Sequence, residues 1–102
     1  MLDIADIRHC CADDTIILTR HLQLRLRERD ITYDDIVGTI MNGEIIEQYP
    51  EDYPSPSCLI FFEDLHVVCG TNGEFLWLVT AYRPDPVRWE SDNKTRKGVL
   101  SS

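Results

Sequence analysis

The sequence has no apolar run approaching the roughly 18 residues that a membrane-crossing helix requires, so no membrane segment is expected. Its first stretch, Met1 to Asp14, holds four acids and lacks the apolar centre of a secretory leader, and a cytoplasmic location is expected. It has no C-x-x-C pair. Cys10, Cys11, Cys58 and Cys69 read most simply as buried thiols of a reducing compartment. A Gly-rich phosphate loop, G-x-S-x-G, H-E-x-x-H and a dinucleotide fingerprint are also missing, so no cofactor is expected. Between Asp30 and Phe75 there is no Lys or Arg at all, against ten acids.

That last gap qualifies the net charge of −8, which by itself speaks against a general nucleic-acid binder. Nothing points to recognition of a DNA sequence. The basic residues are concentrated in two places: Arg20, Arg25, Arg27 and Arg29 form one group, and Arg83, Arg88, Lys94, Arg96 and Lys97 form the other. Two readings stay open for the acidic middle. It is a solvated face, or it is one pole of a molecule with a local anion site at the other. In the second reading Arg29, Arg83, Lys94 and Arg96 are the candidate substrate-binding cations.

At 102 residues, 43% of them hydrophobic, the chain is long enough for one domain with a real core. The expected domain is residues 1–86. Residues 87–102 read as a polar tail, loose unless Trp89 docks. Leu2 to Ala12 has helical spacing, Thr15 to Leu18 reads as a short extended link, and Thr19 caps a second helix to about Arg29. Thr32 with Asp35 three positions on makes a capping box, and Ile31 with Ile36 makes a hydrophobic staple. Gly43 is expected to close this third helix in the left-handed region. Strands are expected over Glu44–Tyr49, Ser57–Phe62, Leu65–Gly70 and Phe75–Arg83. They are separated by a loop with Pro50, Pro54 and Pro56, a tight Glu63-Asp64 connection and a hairpin turn at Asn72-Gly73. The fold class is α+β, with the N-terminal helices on one face of a three- to four-stranded antiparallel sheet.

His21, Arg25 and Arg29 lie one helical turn apart, at roughly 0°, 40° and 80° around the axis. Leu22 and Leu26 adjoin them, so the cationic stripe borders the buried face. Guanidinium groups there suit a phosphate. An equally simple reading pairs them with carboxylates that merely orient the helix. His66 lies in an apolar strand, where a hydrogen-bonded structural histidine is the common case. Simple alternation puts Thr80 and Tyr82 on one face with Leu76 and Leu78. Metal-independent RNA cleavage needs a base, an acid and cations for the phosphorane charge. His21 and His66 could divide the proton transfers, Arg25 and Arg29 supply the charge, and Thr80 or Tyr82 position a phosphate oxygen. The register opposes this: a two-residue turn at Asn72-Gly73 sets His66 opposite Val79. Only a longer loop or a bulge brings His66 to Thr80 and Tyr82.

The pieces Thr19-Arg20-His21, Arg25, Arg29-Asp30-Ile31, Gly43 to Pro50, Pro56 to Leu59, Leu65 to Val68, Val79 to Pro84, Trp89 and Lys94-Thr95-Arg96 together resemble the domain of unknown function 4258 family over nearly the whole chain. Two features depart from that pattern: Asp30 stands where Gly is usual, and the loop before His66 is short. The resemblance implies a helix-plus-sheet fold similar to the RelE-like and barnase-like toxin ribonucleases, with RNA and an antitoxin-like protein as partners. It places His21, Arg25, His66, Thr80 and Tyr82 in the site. The expected function is therefore a metal-independent endoribonuclease. The alternatives are a non-catalytic RNA- or protein-binding module of the same fold, and a Cys/His metal-binding protein using Cys69, His66 and the Cys10/Cys11 pair.

Overall fold

The computed structural model describes residues 2–12, 16–52, 56–72 and 74–97. Three helices, α1 (Ile4–Ala12), α2 (Arg20–Glu28) and α3 (Tyr33–Asn42), pack on one face of a five-stranded sheet. Its strands are β1 (Ile16–Ile17), β2 (Glu44–Tyr49), β3 (Ser57–Phe62), β4 (Leu65–Thr71) and β5 (Leu76–Tyr82), in the order β1-β5-β4-β3-β2. The sheet thus has one strand more than expected and is mixed. The link at Ile16–Ile17 pairs in parallel with Leu76–Trp77, while β2 to β5 form the antiparallel meander that alternation indicates. Two residues are too few to show a strand pattern, which is why β1 reads as a link in the sequence.

The helix boundaries follow from local chemistry. Thr19 accepts the Leu22 amide at the start of α2. At the start of α3 the capping box closes both ways, Asp35 N–H to Thr32 Oγ1 and Thr32 N–H to Asp35 Oδ2. The Thr32 backbone bond holds the Asp35 carboxyl below its usual range. Helix α2 ends in a Schellman motif: Ile31 N–H reaches Leu26 O, Asp30 N–H reaches Arg27 O, and Leu26 and Ile31 are buried together. Asp30 itself has φ 57°, left-handed backbone that glycine adopts without steric cost.

Gly43 is not left-handed, contrary to expectation; its backbone is extended (φ −89°, ψ −170°). Close approach requires it instead. A Cβ there would come within 2.5 Å of both Phe61 O and Thr39 O.

The core between helices and sheet holds Ile7, Leu22, Leu26, Ile36, Ile40, Ile60, Val67, Leu76 and Leu78, all buried. All four cysteines lie in the same core, with Cys58 paired across the ladder with Cys69. The opposite, outer face of the sheet carries a second apolar cluster. Leu59 and Val68 are covered there by Trp89, only 3% exposed. Trp89 therefore docks, and residues 86–97 fold back across the sheet, closed by a bridge between Trp89 and Arg96. Residues 98–102, like Pro54 and Gly73, lie outside the described residues.

Candidate functional site

The geometry of the outer face is decided by one residue in β5. Thr71 pairs with Leu76, not Glu74, so four residues rather than two connect β4 to β5. Cys69 still pairs with Leu78, but Val68 pairs with Thr80, leaving Val79 as a bulge. Beyond the bulge the strand's faces exchange. Leu76 and Leu78 enter the helix-side core, whereas Thr80 and Tyr82 turn to the outer face, so simple alternation fails here. His66 then stands opposite Tyr82, not Val79.

His66 is fully buried on that face. Its ring meets Trp89, Tyr82 and Phe61 edge-on, with centroids 4.5, 5.3 and 5.7 Å away. Nε2 lies 2.6 Å from the Asn93 carbonyl. A carbonyl can only accept, so Nε2 carries the proton, and among the described residues no group partners the lone pair of the buried Nδ1. Burial pushes the His66 pKa below its ordinary value, opposed by the Asn93 bond and by Glu47.

Beside this histidine opens a groove of about 390 Å³ lined by Arg29, Tyr82, Arg83, Asp85, Arg88, Trp89 and Arg96. Each cation arrives by a different route. Helix α2 packs on the helix side through Leu22 and Leu26, and Arg29 at its end reaches around β5. There Nη1 donates to Thr80 Oγ1 (3.2 Å) and to Ala81 O (2.8 Å). Strand β1 covers β5 only at Leu76 and Trp77, so this edge is open to it. Arg83 donates to the Arg29 carbonyl at 2.9 Å and stands 3.6 Å from Asp64. Arg96 forks onto Glu47 at 2.9 and 3.0 Å and stacks on Trp89, 4.6 Å from the ring centroid. Glu47 also accepts the Tyr49 hydroxyl. The Arg96 bond, followed by the Tyr49 bond, lowers the Glu47 carboxyl below its usual range despite its partial burial.

Even with the Asp85 carboxylate in its lining, these pairings leave the groove an excess of positive charge. Arg96 is neutralised by Glu47 and Arg83 is weakly offset by Asp64. Among the described residues no carboxylate lies within ion-pair distance of Arg29 or Arg88. Half of the chain's eight arginines therefore face one opening in a molecule of net charge −8.

Of the residues expected in the site, Arg29, Tyr82, Arg83 and Arg96 line the groove, with Thr80 against Arg29 and His66 behind Tyr82. Three others do not line it. His21 is exposed at the far end of α2, roughly 12 Å of helix from Arg29. Arg25 is exposed one turn before Arg29. Lys94 is paired with Glu44 on β2. Arg88, Glu47 and Asn93 were missed as site residues; only the basic cluster at the C-terminal end hinted at Arg88. For the metal reading, Cys69 and His66 lie on opposite faces of the sheet. Among the described residues no group of three or more His, Cys, Asp or Glu side chains is placed to hold a metal. Among the described residues no helix is long and apolar enough to cross a membrane.

The family model described as domain of unknown function (DUF4258) matches residues 18–83. The chain belongs to the DUF4258 family. No curated protein and no solved structure matches it. The DUF4258 match stops at Arg83, so it contains Arg29, Tyr82 and Arg83. Asp85, Arg88, Trp89 and Arg96, the other wall of the groove, come from residues beyond it.

Proposed function

We propose that this DUF4258 protein binds single-stranded RNA through backbone phosphates held in the arginine groove, and that it does so as a non-catalytic module. The observation that carries this reading is the convergence of Arg29, Arg83, Arg88 and Arg96 on one opening, two of them without a carboxylate partner. Guanidinium forks match phosphate oxygens in shape and charge. Arg29 is already oriented by Thr80 and Ala81, so little side-chain freedom is lost on binding. Tyr82 offers an aromatic face beside the cations, as single-strand binders do. The acidic middle of the chain is left for a basic protein partner, in keeping with an antitoxin-like one.

A second reading, a metal-independent endoribonuclease of the toxin type, draws on the resemblance to toxin ribonucleases and on one observation. The Val79 bulge brings His66, Thr80, Tyr82 and Arg29 to the same part of the sheet. Against it, His66 is sealed beneath Trp89 and His21 stands apart from the groove, so two exposed proton-transfer groups do not meet.

Incubating purified protein with labelled single-stranded RNA in EDTA decides between them. Retention of RNA without cleavage is the expected result. Products ending in 2′,3′-cyclic phosphate, lost in His66→Ala, would establish the ribonuclease instead. Neither retention nor cleavage by folded protein would remove both.

A further inference from the structure

Trp77 stands on the outer face of β5, since its neighbours Leu76 and Leu78 enter the helix-side core. Across the sheet at its level are Ile17, Gly70 and Ser57, none of them charged. Gly70 decides how Trp77 sits. A Cβ there would come within 2.8 Å of Trp77 Nε1, 3.2 Å of Cε2 and 2.8 Å of Pro56 O, so the missing side chain lets the indole settle onto β4. The ring is half-buried, and the rest of its surface is left to solvent. Two aliphatic side chains extend the patch: Ile17, paired with Trp77, is 48% exposed, and Val79 at the bulge is 47% exposed. Trp89 covers the other end of this face, over Leu59, Val68 and His66.

The neighbourhood of the patch says what fits it. Along the outer face of β5 come Trp77, Thr80 and Tyr82, and Arg29 is bonded to Thr80 in the middle. At about 3.3 Å per residue, Trp77 and Tyr82 are roughly 15 Å apart. A phosphate held at Arg29 therefore has an aromatic ring to either side. A stacked single strand, at about 3.4 Å per nucleotide, spans that distance in roughly four nucleotides. A polyanion carrying flat rings along its length matches this order of groups, whereas a basic peptide is repelled by Arg29 and Arg88.

We propose that Trp77 is a base-stacking platform, on which the RNA strand lays a base after its backbone crosses Arg29. This rests on the anion-groove reading above and adds to it an uncharged contact and the direction in which the strand leaves the groove. Every base has an aromatic face, so the contact tolerates sequence. Bases paired in a duplex do not offer that face, so the platform selects single strands.

The test uses the full chain with octauridylate and with an abasic ribose-phosphate octamer, which keeps the charges and lacks the bases. Trp77→Leu removes the aromatic face, and Trp77→Phe keeps one. The platform predicts octauridylate affinity lowered about tenfold in Trp77→Leu and largely restored in Trp77→Phe. The salt slope stays that of wild type in both, because no charge is removed. Tryptophan emission, taken as the difference between wild type and Trp77→Phe, is quenched by octauridylate and not by the abasic octamer. Wild-type affinity in Trp77→Leu, or equal quenching by the two octamers, overturns the platform and leaves the groove standing. Weaker binding with a shallower salt slope also overturns it, since Trp77 then only supports the arginines. A dimer in sedimentation that Trp77→Leu disperses assigns the patch to a second copy of the chain instead. No binding of octauridylate by wild type removes both readings.

Discussion

His66 on β4 faces Tyr82 on β5, ring centroids 5.3 Å apart, because one extra residue at Val79 shifts the ladder between them. Without that bulge His66 would oppose Ala81, and Thr80 and Tyr82 would point into the helix-side core. The bulge therefore does two things: it gives Trp89 a histidine to cover and gives Arg29 a hydroxyl to hold.

Burial of His66 predicts a pH dependence of stability. In the unfolded chain the imidazole takes up a proton near pH 6.5, whereas in the folded chain it does so only at lower pH. As pH falls from 6.5 toward the folded value the unfolded state binds more protons, so stability declines across that window and is fully present above it. Urea midpoints measured between pH 7.5 and 5, at roughly constant salt, should drop for wild type. In His66→Phe, which keeps an apolar ring under Trp89, that segment of the curve should flatten. An equal drop in both proteins would locate the effect elsewhere.

Asp30→Gly should stabilise the protein. Asp30 occupies left-handed backbone at the end of α2, where a side chain is costly and glycine is not. The gain is bounded at about 1 kcal/mol by the greater freedom glycine has in the unfolded chain. Thermal or urea unfolding measures it, and a loss of stability would mean that the Asp30 side chain contributes something the geometry does not show.

Much of this fold is legible in the chain. Thr32 and Asp35 announce the start of α3, Ile31 and Ile36 flank its cap, and the β-rich runs mark β2 to β5. The left-handed backbone at Asp30 is not legible in the sequence, since Asp carries no requirement for that conformation as glycine would. What stays hidden does so for physical reasons. Nothing in Leu76-Trp77-Leu78-Val79-Thr80-Ala81-Tyr82 distinguishes a bulge from regular alternation, since each residue suits a strand. Ile16–Ile17 is too short for a period. The 86–97 segment is polar, and its anchors lie far away along the chain: 27 residues separate His66 from Asn93 and 49 separate Glu47 from Arg96. The arginine groove is therefore a product of tertiary structure, whereas its cations were visible as residues.

Arg88→Ala should separate binding from folding. Arg88 is exposed, and among the described residues no ion pair holds its guanidinium, so stability should change by no more than about 0.5 kcal/mol. RNA affinity should fall about tenfold, in line with roughly 1.5 kcal/mol for one charge-assisted contact. Circular-dichroism melts and fluorescence anisotropy on the same preparations give both numbers. Unchanged affinity would place the phosphate elsewhere.

The most direct test of the anion groove is RNA affinity as a function of salt, for wild type and for the Arg29→Ala/Arg88→Ala double variant. Each phosphate neutralised on a single strand contributes roughly −0.7 to the slope of log affinity against log salt. The groove predicts a steep wild-type slope and one shallower by about 1.4 in the double variant, with weaker binding at every salt concentration. Identical slopes, or affinity indifferent to salt, would contradict it.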